Sequence, residues 1–170
     1  METIIVSVVS MALIIVSTLT VTVSTLQSAN RLADAWKSME QRSSSVSQTG
    51  IRAAAPDSYQ GGLIDLTVQN EGNVNLNDFP SWDVILQYQA GAASYLTYAA
   101  TYPPGPGQWA VDGIFVSGGS PEVFDPNILN PAEWMRVSIN PSPEVAVGEM
   151  ARIIMSTPNG VTSQCYVTRS

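Results

Sequence analysis

Residues 4–26, IIVSVVSMALIIVSTLTVTVSTL, decide the fold of this protein. They lie within a run of 28 residues, 3–30, that contains no charged side chain. A membrane-spanning helix needs about 20 apolar residues, whereas strands of soluble proteins rarely exceed about 10. Ile and Val favour strands in water, so residue type alone would predict a strand. The length of the run instead favours a helix. We predict a helix whose surroundings, lipid or protein, exclude water.

The predicted helix continues beyond the apolar run. Ala29, Leu32, Trp36 and Met39 recur at helical spacing, and the pattern is lost before Gly50. One helix from about residue 3 to about residue 48 would be roughly 70 Å long. This is more than twice the thickness of a hydrocarbon core, which is about 30 Å. A simple anchor does not need such a length, but a rod that packs against copies of itself does.

Small polar residues form a stripe along the apolar helix. At 100° per residue, they fall within a sector of about 100°: Ser7, Ser10, Ser17, Ser24 and Ser28. Such a stripe lets neighbouring helices approach closely, although Ser can also be tolerated in a single anchor by bonding to its own helix. We predict that the helix packs against other helices through these side chains: Ile4, Ile5, Ser7, Val8, Ser10, Met11, Ile14, Ile15, Ser17, Val21, Ser24, Leu32, Trp36 and Met39.

The rest of the chain has the pattern of an all-β domain. Twelve of the 13 aromatic residues follow position 50, and Pro is absent before Pro56. After an Ala/Pro/Gly-rich connector at 51–62, apolar and polar residues alternate in segments that turn residues separate. Seven strands are predicted, at 63–70, 82–89, 95–100, 109–117, 133–139, 149–157 and 161–169, with surface excursions at 102–107 and 117–131.

These patterns predict an α+β protein with three parts. A long N-terminal hydrophobic helix occupies residues 1–50, the connector residues 51–62, and a β-sandwich residues 63–170. Seven strands over about 110 residues fit an immunoglobulin-like sandwich, whose usual size is about 100 residues. The turn 158–160, Pro-Asn-Gly, predicts that the last two strands form a hairpin.

Composition disfavours most enzyme classes and nucleic-acid binding. The chain of 170 residues has 14 acidic groups, 7 basic groups and no His, for a formal net charge of −7. Residues 1–50 are neutral overall, so the whole −7 belongs to residues 51–170. Without His there is no imidazole base or zinc ligand, and an acidic domain lacks the basic face that nucleic acids require. Cys165 is the only cysteine and Lys37 the only lysine.

Candidate chemical sites are weak. Asp112 with Asp125, or Asp57 with Asp65, could be calcium ligands, but their spacing matches no calcium loop and solvated carboxylates are favoured. Cys165 is expected to be a buried small hydrophobe rather than a nucleophile. We predict no catalytic residue, cofactor or metal. The three tryptophans of the β region are expected in the core or in subunit contacts rather than in a carbohydrate platform: Trp82, Trp109 and Trp134.

The order of these parts resembles the archaellins, the filament subunits of the archaeal-type flagellum within the type IV pilin-like superfamily. The likeness is most specific in residues 4–26 followed directly by LQSANRLADAW, which ends at Trp36. The phrases LTVQNEGN at 66–73, SWDV at 81–84 and NPAEW at 130–134 are also similar to archaellins and to archaellar stator proteins. Ordinary type IV pilins carry Glu at the fifth mature position, where this chain has Ile5, so the archaellin branch is favoured.

The chain departs from the family in two respects. Family precursors carry a short basic leader, whereas this chain begins Met-Glu-Thr. We expect either that a leader was removed or that the segment is an uncleaved anchor. Archaellins often carry N-glycans, but the chain has no standard acceptor site, because Pro141 follows Asn140.

The resemblance implies a structural subunit of a helical surface filament used for swimming. It implies a homo-oligomer that is membrane-inserted before assembly and extracellular afterwards, with an assembly ATPase, a platform and a leader peptidase as partners. The positive-inside rule alone would instead place the large domain in the cytoplasm, because Arg31, Lys37 and Arg42 follow the apolar run. A minor stator subunit, an adhesive pilus subunit and a membrane-anchored binding domain remain alternatives.

Overall fold

The computed structural model describes residues 2–56, 58–59, 62–88 and 92–170. The chain divides into two compact units, of which the first ends at Ser44 and the second comprises Ser45–Ser170. The predicted α+β class is confirmed, because one helix precedes a domain built of strands. The predicted pair Asp57 and Asp65 cannot be compared, because Asp57 lies outside the described residues.

Helix α1 runs from Glu2 to Gln48, a length of 47 residues. It contains the whole apolar run and the whole amphipathic extension, so the prediction of one continuous helix ending near residue 48 is confirmed. No Gly or Pro interrupts it, and the first Gly of the chain, Gly50, follows two residues after its end.

Nine strands are found in the described part of the chain. All seven predicted strands are present, each with bounds close to those expected. The strands are β1 (Ile51–Ala54), β2 (Ser58–Tyr59), β3 (Ile64–Asn70), β4 (Asp83–Tyr88), β5 (Ala92–Tyr98), β6 (Gln108–Phe115), β7 (Trp134–Asn140), β8 (Met150–Ser156) and β9 (Thr162–Arg169).

The strands form two layers that share β5. The order across the sheet is β1-β3-β7-β6-β5-β4-β8-β9-β2. Strand β5 pairs antiparallel with β4 up to Leu96 and then parallel with β6 at Thr97 and Tyr98. At the other side the backbone N–H of Ala53 in β1 donates to Ser163 Oγ in β9, at 2.8 Å. The first layer (β1, β3, β7 and β6) and the second layer (β4, β8, β9 and β2) are therefore linked on both sides.

The core lies between the two layers, where alternate side chains of each strand meet. In β3 the residues alternate strictly between buried and exposed, as the period of a strand requires. The largest fully buried side chains include these: Ile64, Leu66, Leu86, Trp109, Met135, Ile139, Ile153 and Met155. Burial of each such side chain contributes about 1.5–3 kcal/mol.

The predicted connector at 51–62 contains two short strands that the sequence did not indicate, β1 and β2. Strand β1 pairs antiparallel with β3, and the two residues of β2 pair parallel with β9. Strands of four and two residues are too short for an alternation of apolar and polar residues to be recognised in the sequence. The predicted surface excursion at 117–131 is wrong in part, since Leu129 is fully buried and pairs with Leu76.

The last turn of α1 is held by the strands within the second unit. The carbonyl of Gln48 accepts from the N–H of Asn73 at 2.8 Å, and Asn159 Nδ2 donates to Thr49 Oγ1 at 2.7 Å. Asn159 belongs to the predicted hairpin turn between β8 and β9, which the structure confirms. The last carbonyl of α1, which has no partner within the helix, thus finds one in the β-domain.

Asn70 organises the turn that reaches the helix. This side chain is fully buried, donates to the carbonyls of Val74 at 2.8 Å and Leu129 at 2.9 Å, and accepts from the N–H of Gly72 at 2.9 Å. Three hydrogen bonds satisfy a buried amide that would otherwise be costly. The turn predicted at 70–73 is therefore fixed by one buried side chain and also connects the strand to the loop that follows.

We predict that Gly72→Ala destabilises the β-domain. A Cβ there would lie 2.5 Å from both the Gln48 carbonyl oxygen and the Gly50 nitrogen, and these are backbone atoms that cannot move aside cheaply. The expected loss is about 1–3 kcal/mol of unfolding free energy. It can be measured by urea denaturation of the full chain in detergent, followed by tryptophan fluorescence.

Gly113→Ala is the matched control, since its Cβ would meet only the Phe115 ring at an ordinary 3.4 Å. Equal destabilisation by the two substitutions would contradict the steric explanation.

Candidate assembly surface on the N-terminal helix

The predicted packing residues all lie on α1, and their side chains are exposed. The apolar members within residues 4–21 have exposed fractions of 55–68%: Ile4, Ile5, Val8, Met11, Ile14, Ile15 and Val21. The serines of the stripe are exposed as well: Ser7, Ser10, Ser17 and Ser24. The structure contains one chain, so these residues are placed on one helix without a packing partner.

The helix is apolar around its whole circumference, and the predicted set covers only part of it. At 100° per residue, the side opposite the predicted set is occupied by further large apolar residues that the set omitted: Val9, Leu13, Val16 and Val23. Their exposed fractions are 49–62%. A helix that is apolar on every side is typical of a buried or membrane environment. The signal that could have found these residues is their apolar character itself, which the sequence shows on this side of the helix too.

The hydroxyl groups between residues 17 and 28 donate to carbonyls of the helix itself. Ser17 Oγ donates to the carbonyl of Leu13 at 2.8 Å, and Thr20 Oγ1 donates to that of Val16 at 2.8 Å. Ser24 Oγ donates to the carbonyl of Val21 at 2.9 Å. These bonds leave few unpaired donors when the surface is buried, so the helix can enter a dry environment without polar partners.

The extension of the helix has a different surface. Leu32, Trp36 and Met39 lie on one side, with exposed fractions of 57%, 68% and 71%. The opposite side carries polar residues such as Ser38 and Gln41. The circumference is therefore apolar all round in residues 4–26 and amphipathic beyond residue 30. By length and composition α1 can cross a membrane.

We predict that Ser17→Leu impairs helix packing, because a bulky side chain fills the space that a neighbouring helix would occupy. Thr20→Leu is the matched control. Its hydroxyl makes the same bond to the carbonyl four residues earlier, but it lies outside the stripe. Assembly of detergent-free filaments, measured by sedimentation, should fall for Ser17→Leu alone. Equal assembly of the two variants would contradict the prediction that neighbouring helices pack against the serine stripe.

The predicted chemical residues are dispersed rather than gathered. Asp112 Oδ2 pairs with Arg136 Nη1 at 3.3 Å, whereas Asp125 lies in the loop after β6. Within the described ranges, no group of three His, Cys, Asp or Glu residues could hold a metal ion. Asp65 accepts a hydrogen bond from Ser138 Oγ in the neighbouring strand.

Two of the three tryptophans of the β region lie in the core, as the sequence predicted. Trp82 and Trp109 have exposed fractions of 3% and 0%, and both belong to the core. Trp82 donates from Nε1 to the carbonyl of Asn77 at 3.1 Å. Trp134 is half-buried and stacks on Phe115, with ring centroids 4.3 Å apart. None of the three offers a wide exposed ring face.

Cys165 is buried in β9, as predicted. Burial raises the pKa of its thiol from 9.0 to about 11. A thiol that resists ionisation is a poor nucleophile.

We predict that Cys165 reacts with a disulfide reagent far more slowly in the folded chain than in urea at pH 8. The unfolded thiol ionises above about pH 9 but the folded one only near pH 11, so this group lowers stability as pH rises through that window. The Cys165→Ser variant has no thiol, so it measures any consumption of the reagent that is not due to Cys165. Equal rates in the folded and unfolded chains would contradict burial of the thiol.

The fold of the chain is that of archaellum proteins. It superposes with a TM-score of 0.61 on "The archaeal flagellum of Methanospirillum hungatei strain JF1", at 13% identity over 96% of this chain and 91% of that one. It also matches the "Archaellum periplasmic stator protein FlaG from Sulfolobus acidocaldarius", with a TM-score of 0.52 and 17% identity over 69% of this chain and 98% of that one.

A third structure with the same fold is the "Archaellum periplasmic stator protein complex FlaF and FlaG" of the same organism. Its TM-score is 0.50 at 18% identity, over 70% of this chain and 87% of that one. No family model and no curated protein matches the sequence. The predicted resemblance is thus confirmed at the level of fold: this chain has the helix and β-domain architecture of archaellum components.

Proposed function

We propose that this chain is the structural subunit of an archaellum-type helical surface filament used for swimming. One observation carries the proposal: large apolar side chains cover the whole circumference of α1 over residues 4–26 and are exposed in the single chain. Such a surface has to be removed from water. Many copies of the helix packed together would do this without any other component.

The comparison with the flagellar filament supports this reading. The match to the Methanospirillum hungatei structure extends over 96% of the chain, so it includes the helix as well as the β-domain. In the proposed polymer the helices form an apolar core and the β-domains an outer sheath. Burial of each large apolar side chain contributes about 1.5–3 kcal/mol, and more than a dozen such residues on α1 would stabilise assembly without disulfides.

The surroundings of the chain would change during assembly. Before polymerisation, residues 4–26 hold it in a membrane, and afterwards the subunit belongs to an extracellular filament. A leader peptidase, an assembly ATPase and a membrane platform would act on it, as the family resemblance implies. The filament turns only if a separate motor drives it, so rotation is no property of this chain.

A stator subunit is the second candidate. The FlaG match supports it, because this chain covers 98% of that protein. It covers only 69% of this chain, however, whereas the filament match covers 96%. A static adhesive pilus and a membrane-anchored binding domain share the same layout.

Electron microscopy of sheared cell-surface material tests the proposal. We expect filaments about 10 nm wide, estimated from one helical core and a domain layer on each side. Mass spectrometry should show this chain as their main component. A filament made mainly of another protein, with this chain at the cell envelope, would favour the stator. A detergent-solubilised monomer without filaments in any preparation would contradict both the swimming filament and the static pilus.

We predict that Val9→Asp abolishes filaments, because the variant places a charge in the apolar core that it must enter. Ser38→Asp is the matched control, since residue 38 lies on the polar side of the helical extension. The readout is the amount of the chain in sheared filaments relative to the amount in membranes. Filaments of normal yield from Val9→Asp would show that residue 9 is not buried in the polymer.

A further inference from the structure

A loop with exposed apolar residues follows β6 in the first layer. Phe124 and Val123 have exposed fractions of 92% and 78%, and Glu122 and Asp125 flank them. We call residues 122–125, Glu-Val-Phe-Asp, the acidic knob. Because the Phe124 ring is almost wholly exposed in this chain, contact with a partner would remove its apolar surface from water.

Hydrogen bonds hold the knob in place. The N–H of Glu122 donates to the carbonyl of Ile114 at 2.8 Å, which joins the loop to the end of β6. Glu122 Oε1 accepts from the N–H groups of Phe124 at 2.7 Å and Asp125 at 3.3 Å. These bonds, chiefly the one from Phe124, lower the pKa of the Glu122 carboxyl. The knob therefore presents its apolar residues without a large cost of ordering on binding.

The outside of the second layer has an apolar row across three strands. Ile85 of β4 pairs with Tyr95 of β5 on one side and with Ile154 of β8 on the other. All three point away from the core, and Tyr95 is 76% exposed. We call this surface the neutral face and define it by Ile85, Tyr95, Arg152, Ile154, Gln164 and Tyr166.

The neutral face is unusual in its charge. In the described strands of the second layer, Asp83 is the one acid on this side, and it lies at the end of β4. The other acids of the described β-domain lie on the first layer or in loops and turns. In a domain that carries the whole −7, this surface offers an acidic partner less repulsion than the first layer does.

Arg152 gives this face a positive charge. Three of the four arginines after residue 50 pair with carboxylates, and these are Arg52, Arg136 and Arg169. Arg152 instead donates from Nε to Gln164 Oε1 at 2.9 Å, and no carboxylate of the described chain pairs with it. Its guanidinium retains donors for an incoming carboxylate.

We propose that the acidic knob of one copy docks on the neutral face of the next copy. This rests on the proposed filament. Phe124 and Val123 would cover the Tyr95–Ile85–Ile154 row, while Asp125 pairs with Arg152. Knob and face belong to different layers of the sandwich, so the contact is head-to-tail. A contact between two different surfaces propagates into an open helical polymer unless its rotation closes a ring.

Assembly of the full chain on removal of detergent tests the contact. We expect Phe124→Ser and Arg152→Glu each to raise the critical concentration for assembly about tenfold, which corresponds to a loss of about 1.4 kcal/mol of contact free energy. Tyr102→Ser is the control, because Tyr102 is 51% exposed on the loop after β5, outside both surfaces. Tryptophan fluorescence should show that every variant keeps its folded core.

A charge exchange tests the specific pair. Asp125→Arg combined with Arg152→Glu should restore the critical concentration to within about threefold of the unsubstituted chain, because the pair is reformed in the opposite sense. Glu122 is left unchanged, since it holds the loop.

The outcomes separate this contact from the proposed function. If the unsubstituted chain forms filaments and the variants form them equally well, the knob-to-face contact is wrong and the filament function stands. If sedimentation shows only short oligomers, yet they weaken in the single variants and recover in the exchange, the contact stands and the filament is wrong. A chain that never self-associates overturns both.

Discussion

The structure depends on one constraint: residues 4–26 of α1 must be removed from water. The helix satisfies its own backbone, and its hydroxyls donate to its own carbonyls, as Ser17 does to Leu13. What remains is an apolar surface on every side of residues 4–26, which a single neighbouring surface cannot cover completely. The helix is therefore suited to a membrane or to a bundle of copies, and the same surface serves in both.

The β-domain is stabilised by different means. Its core is formed by alternate side chains of the two layers, which β5 joins. Among its buried polar groups, the Asn70 side chain makes three hydrogen bonds. The buried amide of Asn70 fixes the turn that contacts the end of α1, where Gly72 allows the two backbones to meet. The hairpin turn at Asn159 adds a second contact, to Thr49 directly after the helix. Ser45 to Gln48 thus belong to the β-domain although they are helical.

Charge is distributed according to the environment of each part. The apolar helix has no charge over 28 residues, and the acidic residues lie on the β-domain. A strongly acidic coat keeps copies soluble and apart. In the proposed polymer, contacts between β-domains would favour surfaces where acids are sparse, and the outside of the second layer around Arg152 is such a surface.

Much of the fold was predictable because the apolar run is long and the alternation of apolar and polar residues repeats over most strands. The length of the apolar run identified α1, and alternation over six to eight residues located β3, β4, β6, β7, β8 and β9. The strands β1 and β2 were not predicted, since four and two residues give too little alternation. The packing residues on α1 were chosen from a serine stripe, and the equally apolar Val9, Leu13 and Val16 were omitted.

The sequence by itself determined that a helix with a long uncharged segment precedes an acidic β-domain, because length and local periodicity indicate what each segment must bury. Only the tertiary structure decided that the buried Asn70 side chain fixes its turn, that Leu129 of an apparent surface loop belongs to the core, and that Arg152 has no carboxylate partner within the described chain. These properties depend on residues far apart in the sequence, such as Asn70 and Leu129, and pairing between distant strands is not encoded in any local pattern.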